Sequence, residues 1–120
     1  MTNKEFGQKT EIRTKKFSIS VIRLSSSLSN SQEARVLRNQ LTKSATSIGA
    51  NYREANRSRS NNDFKHKIKI CESEASETVY WLEIIEELGW MQLEAITPII
   101  KEANELLAMF TSISSKMKQK

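Results

Sequence analysis

Glu74 and Glu77 stand three residues apart, a spacing that puts both carboxylates on one face of a helix, where paired acids can share a proton or help hold a metal ion. Asn51 and Glu54, on the helix before, are their expected polar partners. A helical di-metal centre, however, draws ligands from glutamate-x-x-histidine pairs, and the partner histidines are missing, since His66 is the only histidine. Cys71, the only cysteine, lies five residues further on. It is rotated too far around a helix to form a nucleophile–base dyad with His66 and has no partner for an internal disulfide. No zinc-like ligand spacing, phosphate-cradling glycine loop or nucleotide fingerprint occurs. Asn51, Glu54, Glu74 and Glu77 are therefore expected to form a polar network that fixes helix register or rims a subunit contact. The chain is expected not to be an enzyme, and no metal or cofactor is expected.

The cations carry a stronger signal. On one helix, Arg35, Arg38, Lys43, Arg53 and Arg57 fall within an arc of about 140°, opposite the apolar seam. Arg59, Lys65 and Lys69 continue the charge into the next helix, and Asn61 and Asn62 add neutral donors. This pattern suits the phosphate backbone of RNA or DNA. No exposed aromatic cluster is expected, so neither base stacking nor base reading is. Residues 1–70 hold 15 Lys/Arg against 5 Asp/Glu, while residues 71–120 hold 4 against 9. A basic surface for a polyanion and an acidic one for a basic partner or a second copy follow. The alternative function is a protein–protein adaptor or scaffold with no nucleic-acid role, its basic stripe merely solvated.

The elements that position these residues are helices. Three glycines and one proline in 120 residues are too few turn-formers for a sandwich or barrel. That length holds one domain with one core, residues 1–120, of which 1–9 are expected to be flexible. The first helix is expected over about residues 10–28, on a seam of Phe17, Val21, Leu24 and Leu28. The second starts near Ser31, its capping residue, with Ala34, Leu37, Leu41, Ala45, Ile48, Tyr52 and Ala55 in register. The third runs from about 63, capped by Asn62 or Asp63, to 88, with Gly89 as its stop. Its seam is Phe64, Ile68, Cys71, Ala75, Thr78, Leu82 and Ile85. The fourth opens on Thr97 as cap and Pro98 as first residue, after a short turn over 91–96. It carries Ile99, Ala103, Leu106, Phe110, Ile113 and Met117, and ends in a cationic tail, 116–120, that suits a helix C-terminus.

Short connections favour antiparallel neighbours, so the expected fold is an all-α, antiparallel up-and-down four-helix bundle. A second stripe on the third helix, Ile70, Trp81, Ile84 and Leu88, lies roughly 110° from the first and is expected to be an oligomer interface. No apolar run approaches the roughly 20 residues of a membrane-spanning helix, and the polar N-terminus lacks a signal peptide's apolar stretch. A cytoplasmic protein is expected.

Residues 40–55 (QLTKSATSIGANYREA) resemble the signature of the bacterial four-helix-bundle family whose founding members are encoded by intervening sequences inside large-subunit ribosomal RNA genes. The resemblance continues through residues 63–68, 74–78, 80–83 and 105–113, covering nearly the whole chain after the first dozen residues. The family pattern often has proline where Gly49 stands and glycine near Ala55 or Asn56, departures that also occur in sister groups. The resemblance implies an up-and-down bundle assembled into a homopentameric ring. A distant relative, the accessory protein of diversity-generating retroelements, binds nucleic acid and a reverse transcriptase, so nucleic acid is an implied partner here. No catalytic residues are implied.

Overall fold

The computed structural model describes residues 1–118. It consists of four helices, α1 (Asn3–Ser25), α2 (Gln32–Asn56), α3 (Asn61–Glu87) and α4 (Leu93–Lys118). The first three open on local capping chemistry. Thr2 Oγ1 accepts from the Glu5 amide to open α1, and Ser31 Oγ does the same for Ala34 at the start of α2, as its sequence position suggests. For α3 the cap is Ser60, two or three residues earlier than expected, its hydroxyl accepting from the Asp63 amide at 3.1 Å. Gly89 closes α3 with φ +69°. The amides of Gly89 and Trp90 donate back to Glu86 O and Ile85 O, the paired bonds of a Schellman motif.

The helices form an antiparallel up-and-down bundle about 46 Å long. α1 and α3 each pack on both α2 and α4, while the backbones of the diagonal pairs stay apart. The predicted seams meet at the centre, where Leu41, Ile48, Ile68, Leu82, Ile85, Leu106 and Phe110 are completely buried. Phe110 of α4 reaches across the diagonal to Tyr52 of α2, ring centroids 5.6 Å apart. Polar contacts set the register. Thr78 Oγ1 lies 2.9 Å from Ser44 Oγ in the α2–α3 seam. Arg13 of α1 forms a two-point pair with Glu102 and a further contact with Glu105 of α4.

Two further helix starts differ from the sequence-based expectation, by larger margins. α1 begins at Asn3, so residues 3–9 are helical and not an arm. Apolar periodicity is silent there because Gly7, Thr10 and Thr14, the buried positions, are small or polar. α4 begins at Leu93, five residues before Pro98. Burial of Ile96 pulls this segment into the helix, and the amides of Ala95 and Ile96 bond to Gln92 O. Pro98 lacks the donor that Glu94 O would take, a tolerable loss in an exposed first turn. Of the cationic tail, Gln119 and Lys120 lie outside the described residues.

Candidate surfaces for nucleic acid and for a second copy

The carboxylates Glu74 and Glu77 are both half-buried on α3. Burial first, and the charge of Glu77 second, push the Glu74 carboxyl up, while Lys43 from α2 opposes them. Glu77 accepts from Trp81 Nε1 at 3.1 Å. Asn51 donates to Ser47 O within its own helix, and Glu54 pairs with Lys67 at 3.0 Å. No hydrogen bond joins the four residues to one another among the described residues. The buried pair of polar side chains that joins α2 and α3 is instead Ser44–Thr78, of which the sequence showed only Thr78, through its place on the seam. Nor does any group of three or more His, Cys, Asp or Glu side chains stand close enough to hold a metal ion among the described residues.

Cys71 is fully buried, its Sγ 3.5 Å from Ile48 O. Burial pushes the thiol up to about 12, which suppresses the thiolate that nucleophilic chemistry needs. Its ordinary value is 9.0, so the unfolded chain releases this proton first, and folding stability falls as pH rises between the two values. Native protein at pH 8 is therefore expected to leave a disulfide reagent such as DTNB unconsumed for hours. It should consume one equivalent once unfolded in guanidinium.

The basic stripe on α2 divides when the fold is seen. Arg38 is half-buried and bonds the carbonyls of Ser25, Leu28 and Ser29 at 3.1, 2.8 and 2.7 Å, closing the C-terminal end of α1. Arg53 pairs with Glu11 at 3.6 Å. Lys43 faces Glu74. Arg35, Arg57 and Arg59 are exposed and make no ion pair within 4.0 Å among the described residues; the same holds for Lys69 of α3, while Lys65 is half-buried. Sequence reasoning missed the cations of α1. Lys4, Lys9, Lys15, Lys16 and Arg23 are all exposed and likewise outside any ion pair among the described residues. Lys15 and Arg53 line one open groove between α1 and α2, with Gly49 at its floor. Glycine stands there because the helices nearly touch: a Cβ would lie 3.1 Å from Thr14 Oγ1 and 3.4 Å from the Thr14 carbonyl carbon.

The second stripe on α3 is graded. Ile70, Trp81 and Ile84 are half-buried, whereas Leu88 is 52% exposed. Tyr80, beside Trp81 with ring centroids 5.1 Å apart, is 57% exposed. On α1, Ile12, Ile19 and Ile22 form another solvent-facing apolar row. Positions 12, 19 and 22 share an outer face and so carry a sequence signal, but the stronger pattern through Phe17 overshadows it. α1 and α3 occupy diagonal corners, so the two apolar rows face away from each other.

The architecture defines a small all-α bundle with charge segregated by helix and no metal-ligating cluster of His, Cys, Asp or Glu among the described residues. Residues 8–112 match the family described as 23S rRNA-intervening sequence protein. This chain belongs to that family, as the motif in α2 suggested. A solved structure from Bacteroides thetaiotaomicron, a protein of unknown function from the S23 ribosomal protein family, is 34% identical and superimposes with a TM-score of 0.79, covering 87% of this chain and 96% of that one. A comparison with curated proteins gives no match. No helix among the described residues is long and apolar enough to cross a membrane.

Proposed function

We propose that this protein is a non-catalytic, self-associating bundle whose α1–α2 side binds the phosphate backbone of RNA or DNA. The observation that carries this reading is the segregation of charge. α1 has six Lys/Arg against two Glu, and α2 has four against two, whereas α3 has seven Asp/Glu against three Lys. Cations on one side concentrate a polyanion there and keep it off α3. Their exposed, unpaired members supply contacts without first breaking an internal ion pair. Self-association is supported by the outward apolar rows on α1 and α3, which a solvated monomer gains nothing by displaying together. A homopentameric ring is the arrangement that family resemblance favours, and repetition of a basic face around a ring would add weak contacts as avidity. The reading fits a cytoplasmic protein.

Two measurements test it. Light scattering is expected to give a mass several times that of the chain, reduced by Leu88→Glu without loss of helicity; a monomer would remove the self-association claim. Nucleic-acid affinity is expected to fall steeply with salt, by roughly 0.9 in log K per log salt for each duplex phosphate contacted. It should drop further in Arg35→Glu/Arg57→Glu. If wild type binds no RNA or DNA at low salt, an adaptor that uses the acidic α3 surface becomes the better account.

A further inference from the structure

Three cavities run in a row around the bundle end where α1 and α3 begin and α2 and α4 finish. The first, about 410 Å³, is walled by Phe6, Tyr52 and Phe64, with Asn3, Asn56 and Lys116 at its polar edge. The second, about 300 Å³, shares Asn56 and Phe64 with the first and leads to Arg59. The third, about 420 Å³, shares Ser58 and Arg59 with the second and carries on past Arg57 and His66. Phe6 is 37% exposed and Phe64 half-buried, so two rings from well-separated parts of the sequence open to solvent beside a line of cations. An aromatic cluster of this kind is what the sequence alone did not show.

The chemistry of this row narrows its occupant. An aromatic-walled cavity of this size accepts a small planar group, and every nucleobase has a π-face that stacks on a phenyl ring. Asn3 carries an amide that donates and accepts, matching the mixed edge of a base, whereas the Asn56 amide nitrogen already donates to Glu11 at 2.9 Å and to Gly7 O at 3.5 Å. Arg59 and Arg57 present planar forks suited to phosphate oxygens. The acids of the third cavity are Glu54, already paired with Lys67 at 3.0 Å, and Asp63. Cations therefore outnumber free acids along the path. An apolar peptide would fill the first cavity but has no use for the arginines beyond it. A duplex keeps its base faces stacked and has none to offer.

We infer that this end of the bundle binds single-stranded nucleic acid, stacking one unpaired base against Phe6 and Phe64 while Arg59 and Arg57 hold the phosphates that follow. The inference rests on the nucleic-acid reading above and adds to it a preference for unpaired strands.

The test uses the full chain at low salt with RNA and DNA oligonucleotides carrying 2-aminopurine, each single-stranded and as a duplex. Single strands should bind at least about tenfold tighter than duplex, with the fluorescence changed by stacking. Phe6→Ala should abolish that change and weaken single-strand binding by roughly 5- to 150-fold, the range of one lost base–aromatic stack. Phe64→Tyr should retain both, and Arg59→Glu should weaken binding. Phe64→Ala should act as Phe6→Ala does, with circular dichroism guarding against misfolding because Phe64 also packs on the core. Phe6 lies at the surface, so Phe6→Ala decides the question whichever way that variant folds. Equal affinity for single strand and duplex, unaltered by Phe6→Ala, overturns the pocket and leaves backbone binding standing. Absence of binding to any of the four overturns both.

Discussion

Replacing Phe110 by alanine is expected to cost about 3–5 kcal/mol of folding stability, the range for large-to-small aromatic truncation in a core. Phe110 heads the fully buried side chains and is the ring through which α4 meets α2 across the bundle, against Tyr52. Its loss removes buried apolar area, leaves a cavity that four rigid helices can only partly close, and gives up an aromatic pair that adds about 0.5–1.5 kcal/mol beyond area. Domains of this size are stable by roughly 5–15 kcal/mol, so the variant should be near the edge of folding at 37 °C. Urea unfolding followed by circular dichroism checks this, with a lower midpoint and an unchanged slope. Phe110→Leu, which keeps most of the volume, should cost clearly less. A loss below about 1 kcal/mol would show that the bundle closes over the site and that this diagonal contact does not hold α4 in place.

The heptad-like seams were legible because each helix buries one stripe, and a stripe of Leu, Ile and Phe at spacings of three and four reports its own face. Phe17, Val21 and Leu24 of α1 and Ala103, Leu106 and Phe110 of α4 all ended in the core. Periodicity failed where burial is achieved without large apolar side chains. At the start of α1, Gly7 and Thr14 lie against α2, and with Thr10 they make a buried face that reads as polar sequence. Thr14 satisfies its hydroxyl on Thr10 O. Proline misled in the opposite way. It is favoured at a first helical position, but the apolar burial of Ile96 outweighed that preference and set the start of α4 five residues earlier.

The candidate surfaces were less legible, for a reason of distance. A helical wheel places charges around one helix and says nothing of the carbonyls or carboxylates brought to them by another. Arg35 and Arg38 are indistinguishable by that test. In the structure one faces water and the other is spent on the end of α1. The Phe6–Phe64 opening had no local signal at all, since its two rings come together only when the starts of α1 and α3 are assembled at one end of the bundle.

Arg38→Met is therefore expected to lower stability by about 2–3 kcal/mol, and Arg35→Met to change it by no more than about 0.5 kcal/mol. Arg38 donates to three carbonyls, those of Ser25, Leu28 and Ser29, where α1 ends and its partial negative charge accumulates. Methionine preserves much of the side-chain packing but removes every donor, so the carbonyls of a partly buried turn lose a charge-assisted partner. Arg38→Lys should recover only part of the loss, because a compact ammonium does not span three acceptors as a planar guanidinium does. Chemical unfolding measures all three variants, and phosphate binding by the same proteins separates the two roles open to this residue. With its donors committed to the turn, Arg38 should contribute little to nucleic-acid affinity, so Arg38→Met should bind as wild type does at temperatures where it is folded. Weakened binding at undiminished stability would return Arg38 to the basic stripe as a phosphate contact and make its hold on α1 incidental.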